Sequence, residues 1–519
     1  MLDSGFVFYL TTSAFVLAGL SWCRTYWDNP SHLPLPPGPP SLPIVGSIFS
    51  LDDRLRPWVS FNNWRSKYGD IVYARMLNKR IVVVNSEEIA RDLFDGRSTI
   101  YSDKPQFTIY EAFASDFNIS LLPYGDRWRL QRRIFHLPFR QAAIPNYHPV
   151  QLRSARKMLF SFLQDPTNYT DHFQMFTFAS ILSIVYDHEP KDRDDPIARV
   201  MQRYLDGVVG GLTPGASVII EAFPFLLWLP SWFPGAAIKR ASVKCIQAGR
   251  DVREIPFQLV KEKMSDGHVP QCMITDAMNK LNGYNDSATE TAIKEAASIA
   301  YAGAAETSTS TLLVFLLAMV LNPEVQAKAQ AEIDRVVGKD RLPDFNDRPA
   351  LPYMDALLRE TFRWQPVFPI GLPHSTTTSD IYKGYFIPKD VVVIINTWAM
   401  TRNEKKFPSP DEFKPERFLH EDGSLTDDKM RFGFGWGRRM CVGQHLADAS
   451  MWISITSFLA AFSVHKALDE HGKEISVVPK FTTGITIHPE TFPCRIVPRF
   501  NNASAEALEQ LTGLVAEKS

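Results

Sequence analysis

The chain has 519 residues, 45% of them hydrophobic and 22% charged, an ordinary globular mixture that excludes a disordered, collagenous or many-spanning membrane protein. With 56 Lys and Arg against 57 Asp and Glu the formal charge is −1, so the basic footprint of a nucleic-acid binder is absent and no nucleic-acid partner is expected. The five cysteines (Cys23, Cys245, Cys272, Cys441 and Cys494) are odd in number and scattered. They offer neither a disulfide framework nor zinc or iron–sulfur spacing, and any metal chemistry would have to use one cysteine alone.

In chain order, residues 4–23 carry no charge and are long enough to cross the roughly 30 Å hydrocarbon layer as a helix. Asp3 precedes them and Arg24 follows, which argues for a retained anchor with the rest of the chain on the cytoplasmic side rather than a cleaved signal peptide. Residues 24–46 include Pro34, Pro36, Pro37, Pro39, Pro40 and Pro43, which force a stiff, extended path and read as a spacer or hinge. Residues 47–500 form the body and 501–519 a tail. The spacing predicts a strand pair over 71–74 and 80–85 and another strand over 391–395, with most of the remainder helical. The expected fold class is mainly α with a small β portion, in a single large domain with one continuous core. The aromatic segment 223–233 reads equally as core packing or as a surface dipping into a membrane.

One helix stands out. Ser287-Ala288-Thr289-Glu290 reads as a capping box, and no proline interrupts the pattern until Asn322-Pro323. The predicted helix ends at Leu321 and is about 50 Å long, a length suited to the middle of a globular body. Gly303 sits near its centre, followed by Ala304, Ala305, Glu306, Thr307, Ser308 and Thr309. A glycine here costs about 1 kcal/mol against alanine. It points either to close packing against a neighbour or to a groove for a flat ligand with an acid and an alcohol beside it.

Residues 432–443 read Phe-Gly-Phe-Gly-Trp-Gly-Arg-Arg-Met-Cys-Val-Gly, and a helix rich in Ala, Leu and Ile is predicted from Gln444 to about Phe462. Cys441 thus stands at a helix N-terminus, where the dipole and free amides favour a thiolate and lower its pKa. Two roles remain open on these residues: a nucleophile with His445 as its one nearby base, or a single thiolate ligand to haem iron.

The pattern Phe434-x-x-Gly437-x-Arg439-x-Cys441-x-Gly443 resembles the haem-binding signature of the cytochrome P450 monooxygenases at every fixed position. Glu360-Thr361-Phe362-Arg363 is similar to that family's Glu-x-x-Arg motif, Pro415-Glu416-Arg417-Phe418 to its Pro-Glu-Arg-Phe element, and Trp128-Arg129-Leu130-Gln131-Arg132 to its Trp-x-x-x-Arg. The anchor and Pro-rich hinge resemble those of microsomal members, and the style of the sequence is fungal. The resemblance implies haem b (iron protoporphyrin IX), with Cys441 as the axial ligand of its iron. It implies a cofactor-binding set of Cys441, Arg439, Phe434, Gly437, Gly443, Trp128, Arg132 and His374, the basic and aromatic members holding the propionates. A buried network of Glu360, Arg363 and Arg417 would stand behind the loop. Glu306 and Thr307 would be catalytic, relaying protons for oxygen activation, while Ala304 replaces a glycine of the family pattern and puts the width of the oxygen groove in question. Apolar stretches around 107–121, 366–372 and 481–485 correspond to substrate-contact regions.

The function this implies is insertion of one atom of O2 into an apolar small molecule, a terpenoid or polyketide of fungal specialised metabolism. Electrons would come from NADPH through a separate flavoprotein reductase, at the endoplasmic reticulum membrane with the body in the cytoplasm. The alternatives are a haem-thiolate isomerase or dehydratase acting on peroxides without O2, and a non-catalytic haem-binding protein. Arg127, Arg129, Arg132 and Arg133 read as a solvated basic face, a propionate clamp or a docking patch for an acidic electron donor.

Overall fold

The computed structural model describes residues 29, 32–43, 45–52, 54–77, 79–192, 194–267, 270–281, 286–500 and 504–514. The expected anchor 4–23 lies outside the described residues, as do most of 24–31 and the ends of the tail. The described part is mostly helical with a small strand content, as its sequence pattern requires. It packs as two compact units rather than around one continuous core: of the described residues, those up to 105 with 369–403 and 435–440 form one, and those of 106–368, 404–434 and from 441 onward the other. Its buried apolar side chains likewise fall into separate clusters. One continuous core was expected; the separate clusters correct that.

The first unit holds helix α1 (Pro57–Tyr68) and the strands β1 (Ile71–Met76), β2 (Lys79–Val84), β3 (His374–Ser375), β4 (Asp380–Tyr382), β5 (Tyr385–Ile387) and β6 (Val392–Ile395). Val82, Val83 and Val84 are buried on both faces, as befits a β-branched run inside a sheet. The sheet order is β1-β2-β6-β3, with β1 antiparallel to β2 (Ile71 opposite Val84) and β2 parallel to β6 (Ile81 opposite Val392). β3 closes the edge with His374 opposite Val393. Strands β4 and β5 pair as a separate hairpin.

The second unit is built from α2 (Asp126–Phe139), α3 (His148–Gln164), α4 (Tyr169–Tyr186), α5 (Ser287–Leu321), α6 (Pro352–Trp364) and α7 (Gln444–Ala461), with β7 (Phe462–Lys466) and β8 (Cys494–Pro498) as a terminal pair. The long helix α5 spans 35 residues and packs against α4, α2 and α7. It is long and apolar enough to cross a membrane, yet it is mostly buried inside the protein, which makes it a core helix. Its cap is Asp286, whose carboxylate accepts from the amides of Ala288 and Thr289 at 3.1 Å each. Ser287, expected to open a capping box, is instead the first helical residue, because the aspartate one place earlier is the stronger acceptor.

Two apolar clusters meet α5 at different heights. The N-terminal half, from Ala292 to Ala305, packs with α2 and the later part of α4. The C-terminal half, from Leu312 to Val320, packs with α3, α6 and α7. The hydroxyl- and acid-bearing stretch from Glu306 to Thr311 lies between these halves, where the helix is held from both ends but is not filled with apolar side chains.

Candidate haem site

Cys441 lies three residues before α7, in the turn whose N-cap is Gly443. Its amide donates to the carbonyl of Phe434 at 2.8 Å, closing the glycine-rich loop on itself. The Phe434 ring meets Phe362 of α6 nearly edge-on, with centroids 5.2 Å apart, so the loop is fastened to the helix that carries the Glu360 network. Two glycines are required by geometry. Gly435 has φ +87, and Gly437 has φ +52 with its Cα so near the Phe94 carbonyl that a Cβ would come within 2.1 Å of the oxygen. The Gly437 amide also donates to Asp95 Oδ1 at 2.7 Å. Gly443 needs no such freedom: its φ is −86, and a Cβ there would make ordinary contact with the Cys441 sulfur.

Cys441 keeps an accessible surface although surrounding protein desolvates it. Burial pushes the thiol above the ordinary cysteine value, while the amides of Gly443 and Gln444 and the charge of Arg132 pull the other way. The expectation of a thiol lowered by the helix end alone is therefore corrected: without a cation on the sulfur, desolvation wins. The charges acting on His445 are Asp448 and Arg431, and burial lowers its pKa. Among the described residues no group of three or more His, Cys, Asp or Glu could hold a metal ion. A lone soft sulfur with an open face and amide support is a donor suited to the iron of a haem, which brings its other ligands with it.

The central helix supplies the opposite requirement, space. Gly303 is exposed in the middle of a buried helix, and a Cβ built there meets nothing within 4 Å. Close packing, one of the two readings of this glycine, is overturned. Ala304, the departure from the family pattern, packs its methyl against the apolar cluster of the helix's N-terminal half. The Thr307 hydroxyl donates back to the Gly303 carbonyl at 2.7 Å. Glu306 accepts from the Thr486 hydroxyl at 3.2 Å. Glu306 and Thr307 thus make no direct hydrogen bond to each other: neighbouring residues on a helix point about 100° apart, and each side chain has its own partner.

The arginines of α2 sort by their neighbours. Arg127 pairs with the buried Glu295 of α5 at 2.7 Å, and Gln131 donates to the other oxygen of Glu295 at 2.7 Å. Arg129 pairs with Asp126 at its own helix start. Arg133 is exposed, and the half-buried Arg132 is the one whose charge acts on Cys441. Trp128, one turn before Arg132, is buried with its ring 5.0 Å from Tyr124. A uniform solvated basic face does not describe this set.

In the other unit, Arg439 Nε donates to the Ser102 carbonyl at 2.7 Å. His374 is buried in β3, with Nδ1 2.7 Å from the Tyr101 carbonyl, so that nitrogen carries the proton. Burial pushes its pKa well below the usual histidine value, and Lys104 and Arg439 push it further in the same direction. With Nδ1 so engaged, Nε2 is the nitrogen left to face a ligand. The sequence reading missed Lys104, which is buried and donates to the carbonyls of Leu372 and Pro373 at 2.9 Å each. No motif marks it; its one signal is a lysine followed directly by Pro105 ahead of an apolar stretch.

Behind the loop, Glu360 and Arg363 of α6 are both fully buried and joined by two bonds, 2.6 and 2.8 Å. Arg417 reaches Glu360 at 3.1 Å, and the Lys414 amide donates to Glu360 at 2.7 Å. Arg363 also donates to the carbonyls of Pro410 and Glu412, and Arg417 to those of Pro408 and Ser409. The pair therefore fixes the path of 408–414 more than it adds net stability. Arg363→Leu is expected to cost about 3–5 kcal/mol by leaving a buried carboxylate short of its bidentate partner, read by urea unfolding. The Glu360→Leu, Arg363→Leu double variant should recover part of that loss.

Residues 36–492 match the family model described as Cytochrome P450. A cytochrome P450 monooxygenase of Armillaria gallica is 36% identical over 95% of this chain and 96% of its own length. The monooxygenase claR of Ampulloclitocybe clavipes is 36% identical over 92% of this chain and 89% of its own. The tryptamine 4-monooxygenase of Psilocybe cyanescens is 32% identical over 92% and 95%. With the match spanning nearly the whole body, and a lone accessible cysteine set in a glycine loop at a helix start, the chain belongs to the cytochrome P450 family of haem monooxygenases.

Proposed function

We propose that this protein is a membrane-anchored monooxygenase that holds haem b on Cys441 and inserts one atom of O2 into an apolar small molecule, a terpenoid or polyketide of specialised metabolism. The other oxygen atom leaves as water, with two electrons from NADPH through a separate flavoprotein reductase and two protons, one accounted for by the NADPH hydride and one taken from solvent. The observation that carries the reading is the setting of Cys441: an accessible sulfur at the start of α7, supported by backbone amides and by Arg132. When bound, the haem supplies the activation of O2. The protein's own residues supply the rest. Arg132, Trp128 and Arg439 stand as the groups to hold the propionates, Arg439 and Arg132 by charge-assisted bonds. Gly303 leaves room, Thr307 offers a hydroxyl in that space, and Glu306 offers a carboxylate near it. The Glu360–Arg363–Arg417 network keeps the chain behind the loop in place.

The test is turnover under isotopically labelled O2 with NADPH, reductase and a panel of apolar terpenoids and polyketides. One labelled oxygen per product molecule is the expected result. Product formed from a peroxide without reductase or O2 would replace this reading with the isomerase alternative.

The domain plan we propose is an anchor at 4–23, a hinge at 24–46, the catalytic body at 47–500 and a tail at 501–519, seated at the endoplasmic reticulum with the body in the cytoplasm. A second membrane contact is supported by the aromatic segment 223–233. Trp228 is 84% and Trp232 80% exposed, and Phe223, Phe225 and Phe233 are exposed as well, while Leu227 packs against a buried apolar cluster. Deleting residues 1–24 should release the protein from phospholipid vesicles only in part. Adding Trp228→Ser and Trp232→Ser should lower the remaining vesicle affinity at least about tenfold, each exposed indole contributing on the order of 1.5–3 kcal/mol when it leaves water. Unchanged vesicle binding in that variant would remove the segment from the membrane contact.

A further inference from the structure

The acid of the central helix is held by a residue from a distant stretch of sequence. Thr486 Oγ1 donates to Glu306 Oε1 at 3.2 Å, across 180 residues. The loop that carries Thr486 is closed at its base. The Thr482 amide donates to the His488 carbonyl at 2.9 Å, and the His488 amide donates back to the Thr482 hydroxyl at 3.2 Å. One step further out, the Glu490 amide donates to the Lys480 carbonyl at 2.9 Å. The loop is also tied sideways, with the Ile487 amide donating to the Val367 carbonyl at 3.0 Å. Thr486 therefore stands next to a buried, anchored Ile487, with its hydroxyl engaged by Glu306. Glu306 is half-buried on α5 and is offered no bond by Thr307, whose hydroxyl is engaged with Gly303.

We infer that Thr486 is a positioning residue for Glu306: its hydroxyl fixes the rotamer of the carboxylate and so decides whether protons reach the space beside Gly303 and Thr307. The inference rests on the proposed role of Glu306 in proton delivery. A hydroxyl is suited to the task because it donates to the carboxylate without neutralising it, which a lysine or arginine would do. The same loop exposes Ile485, in the stretch expected to meet substrate, so the residue that holds the acid and the residue that meets an apolar ligand share one turn.

The experiment uses the haem-loaded full chain with NADPH and reductase and no added substrate. Oxygen reduced by two electrons and two protons leaves as hydrogen peroxide, one NADPH per O2; reduced by four and four it leaves as water, two NADPH per O2. Thr486→Val keeps the shape and removes the donor. It should raise the ratio of peroxide to water roughly tenfold, the size of one hydrogen bond to a charged group. Thr486→Ser should restore the ratio. Amide hydrogen exchange of peptide 481–490 in the same holoenzyme should quicken in Thr486→Val and return to normal in Thr486→Ser. The reduced, CO-bound spectrum checks folding, and Thr486→Ala serves if the valine variant fails to load haem. Glu306→Gln separates the two ideas. If it leaves the peroxide ratio unchanged, the proton-delivery role of Glu306 falls. If it raises the ratio while Thr486→Val does not, or if Thr486→Val changes exchange alone, the positioning role of Thr486 is overturned.

Discussion

Cys441→Ala is expected to abolish monooxygenase activity and the thiolate-type spectrum of the reduced, CO-bound protein. The side chain is the one thiol in the glycine loop, and the loop is built to present it. Its amide is engaged with Phe434, its neighbours Gly443 and Gln444 turn their amides toward it, and Arg132 adds a positive charge. Removing the sulfur leaves all of that scaffold intact. The stability of the haem-free protein should change by no more than about 0.8 kcal/mol, the transfer value of one methylene-sized group. Thermal unfolding of the haem-free variant and the CO spectrum of the haem-reconstituted one therefore separate a lost ligand from a lost fold. A surviving thiolate-type spectrum would assign the iron ligand to another residue.

Thr307→Ala is expected to load haem, consume NADPH and release hydrogen peroxide in place of product. Removing a positioned proton donor costs a factor of about 10²–10⁴ in the step it serves. The structure supplies a competing account, because Thr309 and Thr311 bond back to the carbonyls four residues earlier in the same way as Thr307. On that account Thr307 is one of a run of helix-satisfied hydroxyls, and alanine, the better helix former, would leave product per NADPH unchanged. The difference between these threonines is their surroundings. Thr309 is buried and also meets Thr177 of α4 at 3.0 Å, whereas Thr307 is half-buried four residues from the open space at Gly303. Thr309→Ala is the control: it should lower stability and leave the ratio of product to NADPH as it was. A Thr307→Ala protein that behaves like the Thr309 control would take Thr307 out of the chemistry.

Local sequence was informative wherever one short stretch contains both the cause and the effect. The valine run of β2 needs a sheet interior, and the strand was read within two residues at either end. The central helix was read to its last residue because Asn322-Pro323 must stop it. Its cap, and with it its start, was read one place late, at Ser287 instead of Asp286. The glycine loop was legible because backbone conformation and approach distance at Gly435 and Gly437 exclude any side chain. Glu360 and Arg363 share a helix face by spacing alone. Their burial and the bonds to 408–414 have no local signal, since the partners lie 47 to 57 residues away.

By itself, then, the sequence determined the family and the helical class, and it singled out the cysteine proposed to hold the haem, because each is written in residues that act on their immediate neighbours. Only the tertiary structure decided how charge and protons are arranged around that cysteine. Burial pushes the Cys441 thiol up and the His374 imidazole down from their ordinary values, since desolvation depends on atoms brought from elsewhere in the chain. The same long-range packing buries Lys104, turns Arg127 toward Glu295 and Arg132 toward Cys441, and gives Glu306 to Thr486 instead of Thr307. Hydrogen bonds reach only about 3 Å, so a partner 180 residues away becomes a partner only once the fold has closed the gap.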